Sequence, residues 1–313
     1  MSVPPGSTGP DLIIKTAPMR YGVNLLNFGS GTTPESLVRQ ATDARDLGLE
    51  FAMISDHIAV TEDVHTVYPA PFYDQFVLAA HLAGRVPGLR LGTTITVIPY
   101  RHPLQTARMA ANIDRLNDAG FILGAGVGWS AAEYEVLGVP FRERGAITDE
   151  YLAAIRAAWA EDPTSFRGEY VSYEGVRTAP APATSPHLPV WVGGNSPAAQ
   201  VRAARLGEGW HPFMPTLEAL RDALPRLARE AEAAGRPVPA LVPRLQIRLG
   251  QQEDTAERPL GHGSADQIRA DLETLAELGA TDVLLDTYPG TPDERADAEA
   301  DRKVLELVMS TAP

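Results

Sequence analysis

Eight short apolar runs, separated by stretches of helical period, constrain this chain more than any other feature. They cover residues 21–26, 51–55, 91–98, 121–125, 190–192, 209–213, 245–249 and 282–286. Strand and helix signals that alternate along one chain predict a parallel sheet with helical crossovers, the α/β class. Eight such units within 313 residues favour a closed (βα)8 barrel over an open doubly wound sheet. The helical stretches agree: Thr33 caps a helix opened by Pro34, with Leu37, Ala41, Ala44 and Leu47 on one face and Gly48 as its stop. Ser264 and Gln267 form a capping box ahead of a second such helix, which Gly279 ends. Between the fourth and fifth runs the spacing widens to roughly 70 residues, so an insertion is expected there. It holds a helix over 147–159 and an aromatic–polar alternation over 166–176 that reads as a small hairpin.

Charge and cysteine content narrow the function. The 27 basic and 40 acidic residues leave a net charge of −13, which opposes broad contact with nucleic acid or anionic lipid. With no cysteine, disulfide scaffolds, thiolate nucleophiles, iron–sulfur clusters and cysteine zinc sites are excluded, and a cytoplasmic protein is expected. No apolar run has the roughly 20 residues of a membrane span. Residues 1–18 lack the basic start and apolar stretch of a secretory signal and read as a disordered or docking arm, with one barrel domain over 19–313.

Catalysis in such a barrel sits at the carboxyl ends of the strands. The second run ends Ser55-Asp56-His57, a carboxylate beside an imidazole that can orient a ligand and give or take a proton; a helix-capping Asp beside an exposed His would look the same. After the third run, Arg101 and His102 offer positive charge to an anion, and Pro103 opens the next helix. The fourth leads into Gly124-Ala125-Gly126-Val127-Gly128-Trp129, whose alternate glycines bare one face, for a flat ring or for close strand packing. Its G-x-G-x-G spacing, without an acidic ribose partner, is not a dinucleotide fingerprint. The fifth continues Gly193-Gly194-Asn195-Ser196-Pro197, where free N–H groups and a helix dipole suit a phosphate. Trp210 in the sixth run can stack on a ring or simply close the barrel. His65, His81, His187 and His262 lack ligand spacing, so no metal site is expected, and no G-x-S-x-G elbow points to a serine hydrolase.

These residues resemble a known family. Ser-Asp-His at 55–57, Leu-Gly-Thr-Thr-Ile at 91–95, the glycine motif at 124–129 with Glu133, Phe-Arg-Glu-Arg-Gly at 141–145, and the stretches 189–197 and 207–212 are similar, in that order, to the bacterial luciferase-like monooxygenases. The resemblance implies a (βα)8 TIM barrel with a flavin or deazaflavin ring at its mouth. It places the ring against Gly126, Val127, Gly128 and Trp129 and its phosphate near Gly193, Gly194, Asn195 and Ser196. It also implies a bulge in the third strand with a non-proline cis peptide at Thr94–Ile95 beneath the ring, Asp56 and His57 beside it, and His57 as proton donor or substrate orienter. The Gly-Trp ending of the fourth strand looks most like the coenzyme F420-dependent oxidoreductases. The excess of arginine over lysine, with only Lys15 and Lys303 present, fits the GC-rich genomes where these concentrate. The related sugar-phosphate dehydrogenases carry a glutamate in place of Trp129 and clamp phosphate with lysine, so that activity is not expected. The expected function is hydride transfer between F420 and a small organic substrate at an activated C=C or C=N bond. Arg101, His102, Arg142 and Arg144 are the candidates for the acidic tail of F420. An FMN-dependent monooxygenase and a non-catalytic flavin-binding barrel are the alternatives. A homodimer and a flavin or F420 reductase as redox supplier are further implications.

Overall fold

The computed structural model describes residues 18–184, 187–252, 255, 257–288, 290 and 298–311. All but Pro18 of the expected N-terminal arm lies outside this set. The strands are β1 (Arg20–Leu25), β2 (Phe51–Ile54), β3 (Arg90–Thr93), β4 (Thr96–Val97), β5 (Phe121–Gly126), β6 (Thr164–Arg167), β7 (Ser172–Val176), β8 (Val190–Gly193), β9 (Gly209–His211), β10 (Ala240–Leu241), β11 (Arg244–Gln246), β12 (Arg248–Leu249), β13 (His262–Gly263) and β14 (Asp282–Asp286). The helices are α1 (Pro34–Asp46), α2 (Glu62–Val67), α3 (Gln75–Arg85), α4 (Pro103–Leu116), α5 (Ala131–Val136), α6 (Arg144–Ala160), α7 (Pro197–Leu206), α8 (Leu217–Ala233), α9 (Ala265–Glu277) and α10 (Ala298–Thr311).

A curled parallel sheet runs in the order β10-β9-β8-β5-β3-β2-β1-β14-β11, with β4 paired to β5. The segment 240–246 is paired at one end to β9 and at the other to β14. Sequence reading missed the start of this strand because Pro243 interrupts it, and it took 245–249 as one run. Only 244–246 of that region joins the large sheet; Arg248 and Leu249 pair with β13. The third run is likewise broken, into β3 and β4 around a Thr94–Ile95 peptide that is cis. Between β5 and β8 lie α5, α6 and the antiparallel hairpin β6–β7.

Strand periodicity sorts the side chains into two layers. Residues facing the helices include Ala52, Ile54, Leu123, Val190, Val192 and Leu285, and they join Leu37, Ala41 and Ala44 of α1 in one large core. Residues of the other parity, Phe51, Met53, Ile122, Trp191, Val242 and Leu284, form a smaller core inside the curl. Burying each large side chain of this kind stabilises the fold by about 1.5–3 kcal/mol. The helix ends follow the sequence signals: Thr33 and Ser264 each make a reciprocal capping box, and Gly48 and Gly279 sit at φ +82° and +81°, a region that favours glycine.

Candidate active site

Following the inward parity two residues further, towards the carboxyl ends, changes the chemistry. Phe51 and Met53 give way to Ser55, Trp191 to Gly193, Leu284 to Asp286, and Val242 to Arg244; Asn24 and His211 stand at the same level. This polar layer roofs the inner core and floors a cavity of about 290 Å³. Lining it are Ser55, Asp56, His57, Tyr68, Thr94 and Ile95 on one side of the sequence, and Gly128, Trp129, Gly193, Phe213 and Arg244 among the others.

The floor is a hydrogen-bonded chain across five strands. Asp286 accepts from Asn24 Nδ2 at 3.0 Å and from Arg244 Nε and Nη2 at 2.9 and 2.6 Å. Arg244 Nη1 donates to the Thr94 carbonyl at 3.0 Å. His211 is buried and pushed down to about 4, chiefly by that burial, so its ring is neutral near pH 7. Its Nδ1 lies 2.5 Å from the Val242 carbonyl, which can only accept, so Nδ1 donates and Nε2 accepts from the Thr94 hydroxyl at 2.9 Å.

Asp56 and His57 leave β2 in different directions. Asp56 is buried and takes both prongs of the Arg101 guanidinium, at 2.7 and 2.8 Å, together with the Val97 amide at 2.9 Å. Burial lifts the Asp56 carboxyl above its ordinary value, against the opposing pull of the Arg101 fork and the Val97 amide, while Asp56 and Asp74 outweigh burial at Arg101 and hold its guanidinium charged. His57 Nδ1 lies 2.7 Å from Glu133 Oε2. Glu133 is fully buried, and it also accepts from the amides of Ile58 and Ala59 at 2.7 and 3.0 Å and from Tyr100 at 3.0 Å. Burial works to raise the Glu133 carboxyl; the contacts with His57 and the two amides outweigh it and hold the group below its ordinary value. An ionised carboxylate only accepts, so Nδ1 carries hydrogen and Nε2 is left to exchange a proton on the cavity side.

The structure brings most of the expected residues together and separates others. Asp56, His57, Thr94, Ile95, Val127, Gly128, Trp129, Gly193 and Gly194 line the cavity. Gly126 does not: a Cβ there would lie 1.9 Å from Ile95 Cδ1, and one at Gly193 2.7 Å from Ile95 Cγ2. These glycines make room for Ile95, the close-packing alternative, and half-exposed Ile95 offers the flat surface instead. Trp210 also lies outside the lining; it is buried, with its indole donating to the Gly194 carbonyl at 2.9 Å. Asn195 and Ser196 are exposed beyond Gly194, the former bonded through its side chain to both backbone groups of Phe213, the latter capping α7. Arg101 is consumed by Asp56 and Asp74 and is unavailable to a ligand anion. Arg144 is stacked on Phe141 at 3.9 Å and bonded to its carbonyl, His102 caps α4, and Arg142 is exposed and free among the described residues. Sequence reading missed Tyr68, Arg244, His211 and Asp286 as site residues.

A cavity at the carboxyl ends of a curled parallel sheet, with an imidazole among its lining residues, stands where enzymes of this fold class carry their chemistry. A family model described as luciferase-like monooxygenase matches residues 19–269, and the chain belongs to that family. An uncharacterized protein of Mycobacterium tuberculosis is 32% identical over 213 residues, 64% of this chain and 72% of the relative. An F420-dependent hydroxymycolic acid dehydrogenase from the same organism is 27% identical over 246 residues, 76% of this chain and 65% of its own. Among solved structures, an F420-dependent secondary alcohol dehydrogenase in complex with an F420-acetone adduct superposes with a TM-score of 0.78 at 16% identity, covering 95% of this chain and 100% of that one. No helix among the described residues is long and apolar enough to cross a membrane.

Proposed function

We propose that the chain is one (βα)8 barrel domain over residues 19–313, closed across 240–246, that moves a hydride between coenzyme F420 and a small neutral organic substrate. Closure is supported by the pairing of that segment on both sides, and the insertion between the fourth and fifth barrel strands by the hairpin β6–β7. The observation that carries the function is the arrangement of His57: an imidazole in the lining of the cavity that Ile95 also lines, its Nδ1 fixed by buried Glu133, which leaves Nε2 for proton exchange.

The residues present fit a flat ring with a phosphate. Ile95 offers a partly exposed apolar platform, and the amides of Asn195 and Ser196, at the start of α7, have no partner among the described residues. A reduced deazaflavin would supply a hydride from ring carbon without activating dioxygen. Ile95 and Trp129, both in the cavity lining, would hold the ring, the aromatic side chains at 68, 129 and 213 would exclude water, and His57 Nε2 would exchange the accompanying proton. The F420 assignment draws on the F420-dependent relatives. A cytoplasmic homodimer supplied by a separate F420 or flavin reductase belongs to the same reading.

A second reading, an FMN-dependent monooxygenase, is favoured by the loss of Arg101 to Asp56, since FMN has no acidic tail to neutralise. With Arg101 committed, Arg142 is an exposed cation left for an F420 tail, and His102, whose Nδ1 caps α4, has Nε2 to offer it as a donor. Titrating the purified protein with each cofactor by fluorescence separates the readings. Binding of F420 that FMN does not displace is expected; tight FMN binding without F420 binding would replace the first reading by the second, and binding of neither would remove both.

A further inference from the structure

The donors and acceptors that face the cavity are unequally satisfied. Every carboxylate oxygen in or behind the lining already accepts: those of Asp56 from Arg101 and Val97, those of Glu133 from His57, Tyr100 and two amides, those of Asp286 from Asn24, Arg244 and the Tyr288 amide. None is left to receive a cation. The donors are another matter. Tyr68 lines the cavity, and its hydroxyl has no hydrogen-bond partner among the described residues. Arg244 has five N–H groups, of which Nε and Nη2 each spend one on Asp286 and Nη1 spends its own on Thr94, so at least one N–H of Nη2 is spare. The Phe213 ring covers the guanidinium at 4.9 Å, and Arg244 still reaches the cavity lining.

We infer that Tyr68 and Arg244 form a subsite for the carbonyl oxygen of the substrate, which makes this enzyme selective for neutral ketones, aldehydes or conjugated enones over imines and amines. The inference rests on the hydride-transfer reading above and narrows it. Hydride added to a carbonyl carbon, or to the far end of a conjugated C=C, sends the electron pair of the broken π bond to the carbonyl oxygen. Two donors fixed at that oxygen stabilise the charge as it forms, and a proton from His57 Nε2 then completes the alcohol or, at the adjacent carbon, the saturated ketone. The geometry is preorganised: the five-strand floor holds Arg244, and Tyr68 is held by ring contacts to Phe28 at 5.2 Å and Tyr288 at 5.8 Å. Burial keeps the Tyr68 phenol protonated, and the charge of Arg244 acts on it in the opposite sense, as expected of two groups close together. An iminium or ammonium group would meet Arg244 with no carboxylate free to offset it.

The test compares cyclohex-2-enone with 3-methylenecyclohexene, which has the same shape and a CH2 in place of the oxygen. Each is titrated into holoprotein with oxidised cofactor, so that no hydride is available, and read by cofactor fluorescence. The wild type is expected to prefer the enone by about tenfold, and Tyr68→Phe to lose about five- to tenfold of that preference, as removal of one buried hydrogen bond would do. Arg244→Lys, which keeps the charge and loses the fork, should reduce the preference as well. Cofactor affinity of Tyr68→Phe should stay within about twofold of wild type. Equal binding of the two probes, binding of neither, or a Tyr68→Phe change confined to cofactor affinity overturns the subsite, the last by assigning these donors to the ring. If the wild type binds no cofactor, the functional reading fails; the same pair titrated into the cofactor-free protein, read by tryptophan fluorescence, then still decides the subsite.

Discussion

Asp56 and His57 are neighbours in the chain, each paired with a buried group of opposite character, yet they occupy different regions of the molecule. Around Asp56 both carboxylate oxygens have donors, and the Asp56–Arg101 pair ties the end of β2 to the turn after β4 and, through Asp74, to the start of α3. Around His57 one nitrogen is fixed, the other has no hydrogen-bond partner among the described residues, and the residue lines the cavity. A saturated buried ion pair holds the scaffold and has nothing left to offer a ligand; an imidazole fixed on one side only can exchange a proton. Adjacent polar residues at a strand end are therefore not one functional unit.

The contrast can be broken from the Asp56 side first. Asp56→Asn leaves the buried guanidinium of Arg101 against Asp74 alone and should lower stability by about 3–5 kcal/mol in denaturant melts. Loss of activity in this variant should follow loss of fold. The neutral floor histidine gives the next effect. The unfolded chain protonates His211 near 6.5, while the folded protein resists to about 4, so between these values the unfolded state binds the extra proton. Stability should fall by about 3 kcal/mol as the pH drops through that window, and His211→Gln should flatten the dependence. Glu133→Gln is the gentlest. Oε2 faces the donors His57 and Tyr100 and Oε1 faces two backbone amides, so an NH2 group placed on either side meets a donor. A loss of about 1–3 kcal/mol is expected, with turnover reduced and its pH profile shifted, while Glu133→Asp should restore part of the profile.

The strand–helix order, the Thr33 cap, the Ser264–Gln267 capping box, the hairpin and the residues just beyond the strands were legible in the sequence, because each is a local pattern; the reciprocal bond from Ser36 that completes the first box was not read. The polar floor was less so. Asn24, His211, Arg244 and Asp286 belong to the strands themselves, so attention to the residues that follow each apolar run passes over them. Their signal was the inward parity itself: in Gly22-Val23-Asn24 and Leu284-Leu285-Asp286 a polar side chain falls on the face that should be apolar, and only a functional layer tolerates that. Arg244 was obscured further by Pro243, which breaks the run. Tyr68 comes from the short segment after α2, and no periodicity could have placed it. Arg101 shows the opposite limit: an exposed-looking loop arginine is buried because Asp56, 45 residues earlier, reaches it.

The central claim is that His57 carries the proton while Asp56 carries the scaffold. It is tested most directly by His57→Ala, measured as holoprotein for steady-state turnover with a carbonyl acceptor, cofactor affinity and melting midpoint together. Turnover should fall by about 10²–10⁴-fold, with affinity and midpoint close to wild type. Turnover that is unchanged, or that falls only in step with cofactor affinity or the melting midpoint, would contradict it.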